Sequence, residues 1–205
     1  MPDKFNELLL QYSQELRARD RKKIEKEIWT NYGTEKAILV VDMSGFSLLT
    51  ERFGIVHYLS MVRRMQMTSK PIVESFKGTV VKYEADNCFA LFDNPLNAIR
   101  ASISLNFAFD AENILTPDEL DIRISSGIDY GRVLIVAGKD FFGNAVNHAS
   151  KLGEDLAKPG EILVTSKAMK LVPSEAGITF ENAEYNISNI KLRCCSVAYR
   201  KSEEA

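Results

Sequence analysis

The sequence predicts an α+β domain built on a ferredoxin-like βαββαβ sheet, with an N-terminal helix before it and extra strands after it. Three observations carry that expectation. From residue 36 onward, apolar patterns of strand and helix period follow one another in the order β-α-α-β-β-α-β-β-α-β. That order contains one crossover, a hairpin and a second crossover, which suits a mixed sheet with helices on one face. Neither GxGxxG nor GxxxxGK[ST] follows any strand pattern, which argues against a doubly wound sheet.

Residues 1–33 are dense in charge and hold no glycine before Gly33. Phe5, Leu8, Leu9, Tyr12 and Leu16 form a helical stripe that Ile24, Ile28 and Trp29 continue less regularly. The basic run at 17–23 reads as a solvated helix face balanced by nearby acids. Residues 37–41 are a continuous apolar strand ending at Asp42, and Ser44-Gly45 breaks it. Residues 46–53 and 56–76 read as helices, with Pro71 expected to kink or bound the second. Residues 79–83 and 88–92 form a hairpin turning through Glu84-Ala85-Asp86-Asn87. A helix is expected over 95–111, then a half-buried strand over 120–128 that turns at Tyr130-Gly131 into 133–137. A helix over 143–157, a strand over 162–164, a short helix over 166–171 and edge strands to residue 200 complete the chain.

Composition excludes several functions. A chain of 205 residues suits one domain with a small appendage. A net charge of −2 argues against a dedicated nucleic-acid binder, which needs a concentrated basic face. No apolar run approaches the ~20 residues of a membrane span, and the N-terminus has no signal-peptide core. Cys88, Cys194 and Cys195 form no CxxC, so a reducing cytoplasm is expected. His57 and His148 lie far apart, which argues against a zinc hydrolase or a histidine triad.

Two carboxylates fall at strand ends. Asp42 closes the first strand and Asp86 sits at the tip of the hairpin. In a ferredoxin-like sheet those strands are neighbours, so both groups can meet at one sheet edge. Hard oxygen ligands of this kind suit Mg²⁺ or Mn²⁺, with substrate phosphates completing the shell. The turn Ser44-Gly45-Phe46-Ser47 leads into a helix, and its free N–H groups suit a triphosphate.

Five segments then resemble, in order and spacing, the motifs of the class III nucleotidyl cyclases, the adenylyl and guanylyl cyclase catalytic homology domain. They are Val41-Asp42-Met43-Ser44-Gly45-Phe46-Ser47, Val81-Lys82-Tyr83-Glu84-Ala85-Asp86-Asn87, Gly127-Ile128-Asp129-Tyr130-Gly131, residues 140–152 from Asp140 to Leu152, and residues 157–164. The resemblance runs from about residue 36 to 200. It implies an N-terminal helical extension over 1–33 and a class III catalytic domain over 34–201.

The resemblance implies ATP as substrate, cyclised to 3′,5′-cyclic AMP and pyrophosphate. Asp42, the Met43 carbonyl and Asp86 would hold two Mg²⁺ or Mn²⁺ ions per site. Lys82 and Asp140 would read adenine, the lysine donating to N1 and the aspartate accepting from the 6-amino group. Asn147 would orient the ribose. Lys151 stands where the family carries an arginine for transition-state charge, one helical turn further on. A terminal phosphate-binding lysine of many members aligns with Ser188 and Asn189, leaving Lys191 or Arg193 as substitutes. The glycine usual before the second aspartate is Ala85, a mild change provided the turn needs no positive φ. The family's site lies between subunits, which implies a homodimer, with residues 1–33 open to an upstream regulator. The alternative is a non-catalytic or weakly active ATP-binding module of the same fold.

Overall fold

The structure, a computed structural model, describes residues 4–187 and 190–200. Helices α1 (Lys4–Gln14) and α2 (Ala18–Tyr32) precede strand β1 (Gly33–Met43). Helices α3 (Phe46–Phe53) and α4 (Ile55–Ser75) lead to β2 (Thr79–Glu84) and β3 (Asn87–Phe92). Helix α5 (Pro95–Asn113) is followed by β4 (Ile124–Val136), the short β5 (Asp140–Phe142) and α6 (Asn144–Ser150). A π-helical turn over Lys151–Leu156 extends α6. Strand β6 (Ile162–Thr165), helix α7 (Ser166–Met169) and the hairpin β7 (Thr179–Ile187) and β8 (Ile190–Ala198) follow.

Among the described residues the strands form one sheet in the order β2-β3-β1-β4-β6-β8-β7, with β5 folded onto β4. The β2-β3-β1-β4 part is the ferredoxin-like unit, antiparallel throughout, and β6 joins it in parallel. This is the expected α+β architecture with appended strands. The core divides by strand parity. Ala37, Leu39, Val41 and Met43 of β1 pack with α4 and α5 residues such as Met65, Ile99 and Leu105. Ile38 and Val40 face the other way, against Phe89, Phe141, Ala145 and Ala149. Helix α6 therefore covers the second face, whereas the sequence suggested helices on one face only.

Other local expectations change for physical reasons. The N-terminal extension is two helices, not one. The chain breaks at Glu15–Arg17, where the Arg17 N–H donates to the Glu15 carboxylate at 2.8 Å. Folding back brings Phe5, Leu8 and Ile28 together over Leu134 and Val136 of β4. A single straight helix would leave them in water. Leu9, Tyr12 and Leu16 of the expected stripe stay exposed. Strand β1 starts at Gly33 directly out of α2, and α4 runs unbroken through Pro71. No turn forms at Tyr130-Gly131. The β1–β4 ladder continues past it, pairing Ala37 with Tyr130 and Lys36 with Gly131, out to Gly33 with Leu134. The helix expected over 143–157 is α-helical to Ser150 and π-helical after it.

The seat of α6 is a backbone contact. A β-carbon on Gly127 would overlap the Ala149 carbonyl oxygen and the Gly153 amide nitrogen. A β-carbon on Gly153 would lie 2.9 Å from the Gly127 nitrogen and 3.0 Å from the Val40 oxygen. The Ser125 hydroxyl donates to the Gly153 carbonyl at 2.8 Å. Two facing glycines thus let helix backbone rest directly on the sheet. Gly127→Ala is expected to lower stability by about 1–3 kcal/mol, because backbone must move to admit one methyl. Thermal unfolding should show a midpoint several degrees below wild type; an unchanged midpoint would mean that this contact is not tight.

Candidate functional site

Asp42 continues the alternation of Ile38 and Val40, which places it on the face covered by α6. It pairs with Asn87 of β3 on one side and Ser125 of β4 on the other. Asp86 sits in the β2–β3 turn immediately before Asn87 and is 8% exposed. The two strand-end carboxylates therefore meet, as expected for neighbouring strands. Ala85, before Asp86, has φ +50°, so the turn does require the left-handed region. An alanine there carries strain of about 1–2 kcal/mol that a glycine would not, and the replacement is less mild than the sequence suggested.

The charge around this pair is uncompensated. Burial, then the charges of Asp86, Glu154 and Asp155, push the Asp42 carboxyl up to about 7. Burial also raises the Asp86 carboxyl. Glu154 is raised by burial first, then by Asp155, Asp86 and Glu84. Glu154 and Asp155 lie on the π-helical turn, which the Gly127–Gly153 contact presses onto the sheet. Among the described residues no three His, Cys, Asp or Glu side chains converge to cage a metal. Two carboxylates beside the Met43 backbone, short of countercharge, fit a divalent cation that takes its remaining oxygens from phosphate and water. The Met43 side chain itself points into the opposite core.

The turn after β1 is tight. Gly45 has φ +82° and caps α3. The Ser44 N–H donates to the Arg123 carbonyl at 2.8 Å and is spent. The first-turn N–H groups that follow, from Phe46 and Ser47 onward, are those a helix leaves without internal partners.

Lys82 and Asp140 come together although 58 positions separate them in the chain. The Lys82 ammonium lies 3.2 Å from the Asp140 carboxylate and 3.0 Å from that of Glu84. A register shift between Val80 and Lys82 aligns Lys82 with Phe89, and its ammonium sits 5.3 Å from that ring. Strand β5 folds back along β4 and seats Phe141 against Phe89, ring centroids 6.1 Å apart, which carries Asp140 to the lysine. The bond to Glu84, and after it that to Asp140, outweighs burial and holds the ammonium above its usual range.

Asn147 and Lys151 lie one helical turn apart, with the Lys151 N–H donating to the Asn147 carbonyl. Ala145, Ala149 and Leu152 take the buried side of this helix, and Asn147 is exposed. Among the described residues no hydrogen bond or ion pair joins Lys82, Asp140, Asn147 or Lys151 to Asp42 or Asp86. Ser188 and Asn189, aligned with the terminal phosphate-binding lysine, lie outside the described residues.

Sequence reasoning missed Glu84, Glu154 and Asp155. Glu84 had a signal, since it stands two residues from Lys82 on one strand and so shares its face. Glu154 and Asp155 had none, because their place depends on the π-helical turn and on glycines 26 positions apart.

A pH dependence follows. Asp42 carries a folded value of about 7 against an ordinary 3.8. Between those values the native chain holds a proton that the unfolded chain has lost. The group's contribution to stability is therefore complete below 3.8 and is lost as pH rises through 7. In chelator, the wild-type thermal midpoint should fall between about pH 4 and 7 more steeply than that of Asp42→Asn. Parallel curves would refute the burial and charge crowding assigned to Asp42.

The model of the adenylate and guanylate cyclase catalytic domain matches residues 32–197. Putative adenylate cyclase 3 of Rhizobium meliloti (strain 1021) is 29% identical over 156 residues, which cover 76% of this chain and 26% of that protein. The chain thus spans about a quarter of the length of that relative. A solved adenylate/guanylate cyclase/hydrolase from Silicibacter pomeroyi is 27% identical, covers 80% of this chain and 96% of its own, and superposes with a TM-score of 0.67. The non-canonical dimeric guanylyl cyclase domain of a fusion protein from the aquatic fungus Blastocladiella emersonii has the same fold at 14% identity, TM-score 0.69, covering 82% of this chain and 99% of its own. With most of its length in the matched region and its fold superposing on these neighbours, the chain belongs to the class III adenylate and guanylate cyclase catalytic domain family.

Proposed function

We propose that this chain is an adenylyl cyclase that converts ATP to 3′,5′-cyclic AMP and pyrophosphate at a site shared by two copies. The observation that carries the base preference is the approach of Lys82 to Asp140 at 3.2 Å. A donor and an acceptor side by side match adenine N1 and its 6-amino group. Guanine offers the opposite polarity at both positions, which leaves buried polar groups unpaired.

The other residues take roles on the same reading. The N–H groups of the Ser44-Gly45-Phe46-Ser47 turn, apart from the one spent by Ser44, receive triphosphate oxygens. Asn147 orients the ribose so that its 3′-oxygen lines up with the α-phosphorus. Lys151 places positive charge on the α-phosphate as the new P–O bond forms and the bond to pyrophosphate breaks. Lysine supplies that charge without the planar fork of arginine, which favours a slower enzyme. Asp42, the Met43 carbonyl and Asp86 would hold two Mg²⁺ or Mn²⁺ ions, which supply charge neutralisation on the triphosphate when bound.

Two copies fit this reading because, among the described residues, no hydrogen bond or ion pair joins the acidic half (Asp42, Asp86) to the half bearing Lys82, Asp140, Asn147 and Lys151. Residues 34–201 then form the catalytic unit and residues 1–33 an appended helical hairpin open to an upstream regulator. No disulfide joins Cys88, Cys194 and Cys195, which supports a cytoplasmic setting. No helix among the described residues is long and apolar enough to cross a membrane.

Purified protein given ATP or GTP with Mn²⁺ or Mg²⁺, with products separated by chromatography, tests the reaction. Cyclic AMP should form with kcat/KM at least about 10²-fold above that for cyclic GMP. Preference for GTP would overturn the base assignment. No turnover with either nucleotide would leave the ATP-binding module.

Asp86→Asn and Asn147→Ala should each be inactive alone. Mixed under conditions of subunit exchange, they should recover up to about a quarter of wild-type activity, because a mixed dimer keeps one intact site. Demonstrated exchange without recovered activity would defeat the shared-site reading.

A further inference from the structure

A buried network under α6 takes no part in the roles above. Asp129 of β4 is 3% exposed. Its Oδ1 accepts from the Tyr130 N–H at 2.7 Å and from the Thr165 hydroxyl. Its Oδ2 lies 2.9 Å from His148 Nδ1. A carboxylate only accepts, so Nδ1 carries the proton and donates. Thr165 in turn accepts from the Ala168 N–H at 3.2 Å and caps α7. One carboxylate thus receives donors from β4, β6 and α6. Among the described residues, the His148 contact is the side-chain hydrogen bond that α6 itself makes to the sheet.

The rest of the helix seat constrains height better than rotation. Helix α6 buries Ala145 and Ala149 and packs Val146 partly buried against the same cluster, before the chain reaches Leu152. Methyl groups set how close a helix lies and resist little as it turns about its axis. The tight Gly127–Gly153 contact pins the far end, on the π-helical turn. His148 sits between these, next in sequence to Asn147 and three residues before Lys151, where i and i+3 share a helix face. Its side chain is 40% exposed, so its packing contribution is small while its bond is directional.

We propose that His148 is a positioning residue for cyclisation: by donating to buried Asp129 it fixes the rotation of α6, and with it the direction in which Asn147 and Lys151 reach across to the substrate. The inference rests on the roles given to Asn147 and Lys151 above. Neither His148 nor Asp129 touches substrate on this reading. Lys82, Asp140 and the Ser44–Ser47 turn hold ATP without help from this network, so its loss should act on turnover and leave binding nearly alone.

The test compares His148→Ala, His148→Gln and His148→Asn in the purified full chain, with kcat and KM for ATP normalised to folded dimer. The asparagine amide N–H falls where Nδ1 was, whereas the glutamine amide extends toward the Nε2 position. Alanine and glutamine should lower kcat about 10-fold or more, since small misplacements of reacting groups cost that much, with KM within about 2-fold. Asparagine should recover most of kcat. Hydrogen exchange provides a readout independent of turnover: amides of 144–152 should lose protection with alanine and glutamine and keep it with asparagine, the remaining sheet being unaffected.

Wild-type kcat in His148→Ala, or an asparagine variant as impaired as alanine, overturns the proposal. Unchanged protection of 144–152 in His148→Ala overturns it whatever the turnover. Asn147→Ala in the same assay separates the two readings. If Asn147→Ala is inactive and His148→Ala is normal, the positioning role alone fails. If Asn147→Ala is itself fully active, the assignment of α6 to the reaction fails first.

Discussion

The close backbone contact between Gly127 and Gly153 organises this domain's functional face. Helices usually stand off a sheet by a layer of side chains. Here the layer is missing over one strand, and the helix rests on the sheet itself. That contact sets three things at once. It presses the π-helical turn toward the end of β1, it brings Glu154 and Asp155 within electrostatic reach of Asp42, and it presents Asn147 outward on the far side of α6. A π-helical turn widens the helix where a regular one would carry its side chains past these positions, and such turns recur at functional sites.

Electrostatics sets the acidic strand ends apart from the rest of the proposed site. Asp42 and Asp86 crowd each other among further acids: burial is the strongest influence on Asp42, and the charges that act on it after burial are all acidic. The cationic groups are held differently: Lys82 lies between Glu84 and Asp140, and Lys151 opens the π-helical turn that carries Glu154 and Asp155. A protein that buries like charges without pairing them spends stability that a bound cation restores. On the proposed reading a divalent ion would relieve the acidic set, while Lys82 keeps its partners within its own chain, and this asymmetry supports the proposal that the two sets are halves of one site.

The Lys82–Asp140 pair, proposed above to read adenine, is assembled from unrelated parts of the chain. Lys82 owes its face to a register shift in β2, and Asp140 owes its position to the return of β5 over β4. Phe89 and Phe141 lock these together from below. Glu84 joins as a third member by strand parity alone. The N-terminal hairpin touches the same region from outside, since Phe5 stacks on Phe142 at 6.2 Å. The extension is therefore packed against the strand that carries Asp140.

The amino-acid sequence by itself determined the α+β class, most of the helices and strands in chain order, and the placing of Asp42 and Asp86 at the ends of neighbouring strands. It could do so because periodicity, strand ends and glycine turns are local, and because the motif segments keep their spacing along the chain. Only the tertiary structure decided the rest. A straight β4 replaced the turn at Tyr130-Gly131 because its ladder to β1 outweighs local turn preference. The positive φ of Ala85 is imposed by the hairpin that positions Asp86. The fold-back of α1 on α2 follows from the need to bury Phe5 and Leu8 against a strand more than 120 residues away. Glu154, Asp155 and the Asp129–His148 bond depend on where one helix lands on one sheet. That landing is fixed by contacts between residues distant in the chain, which no local pattern encodes.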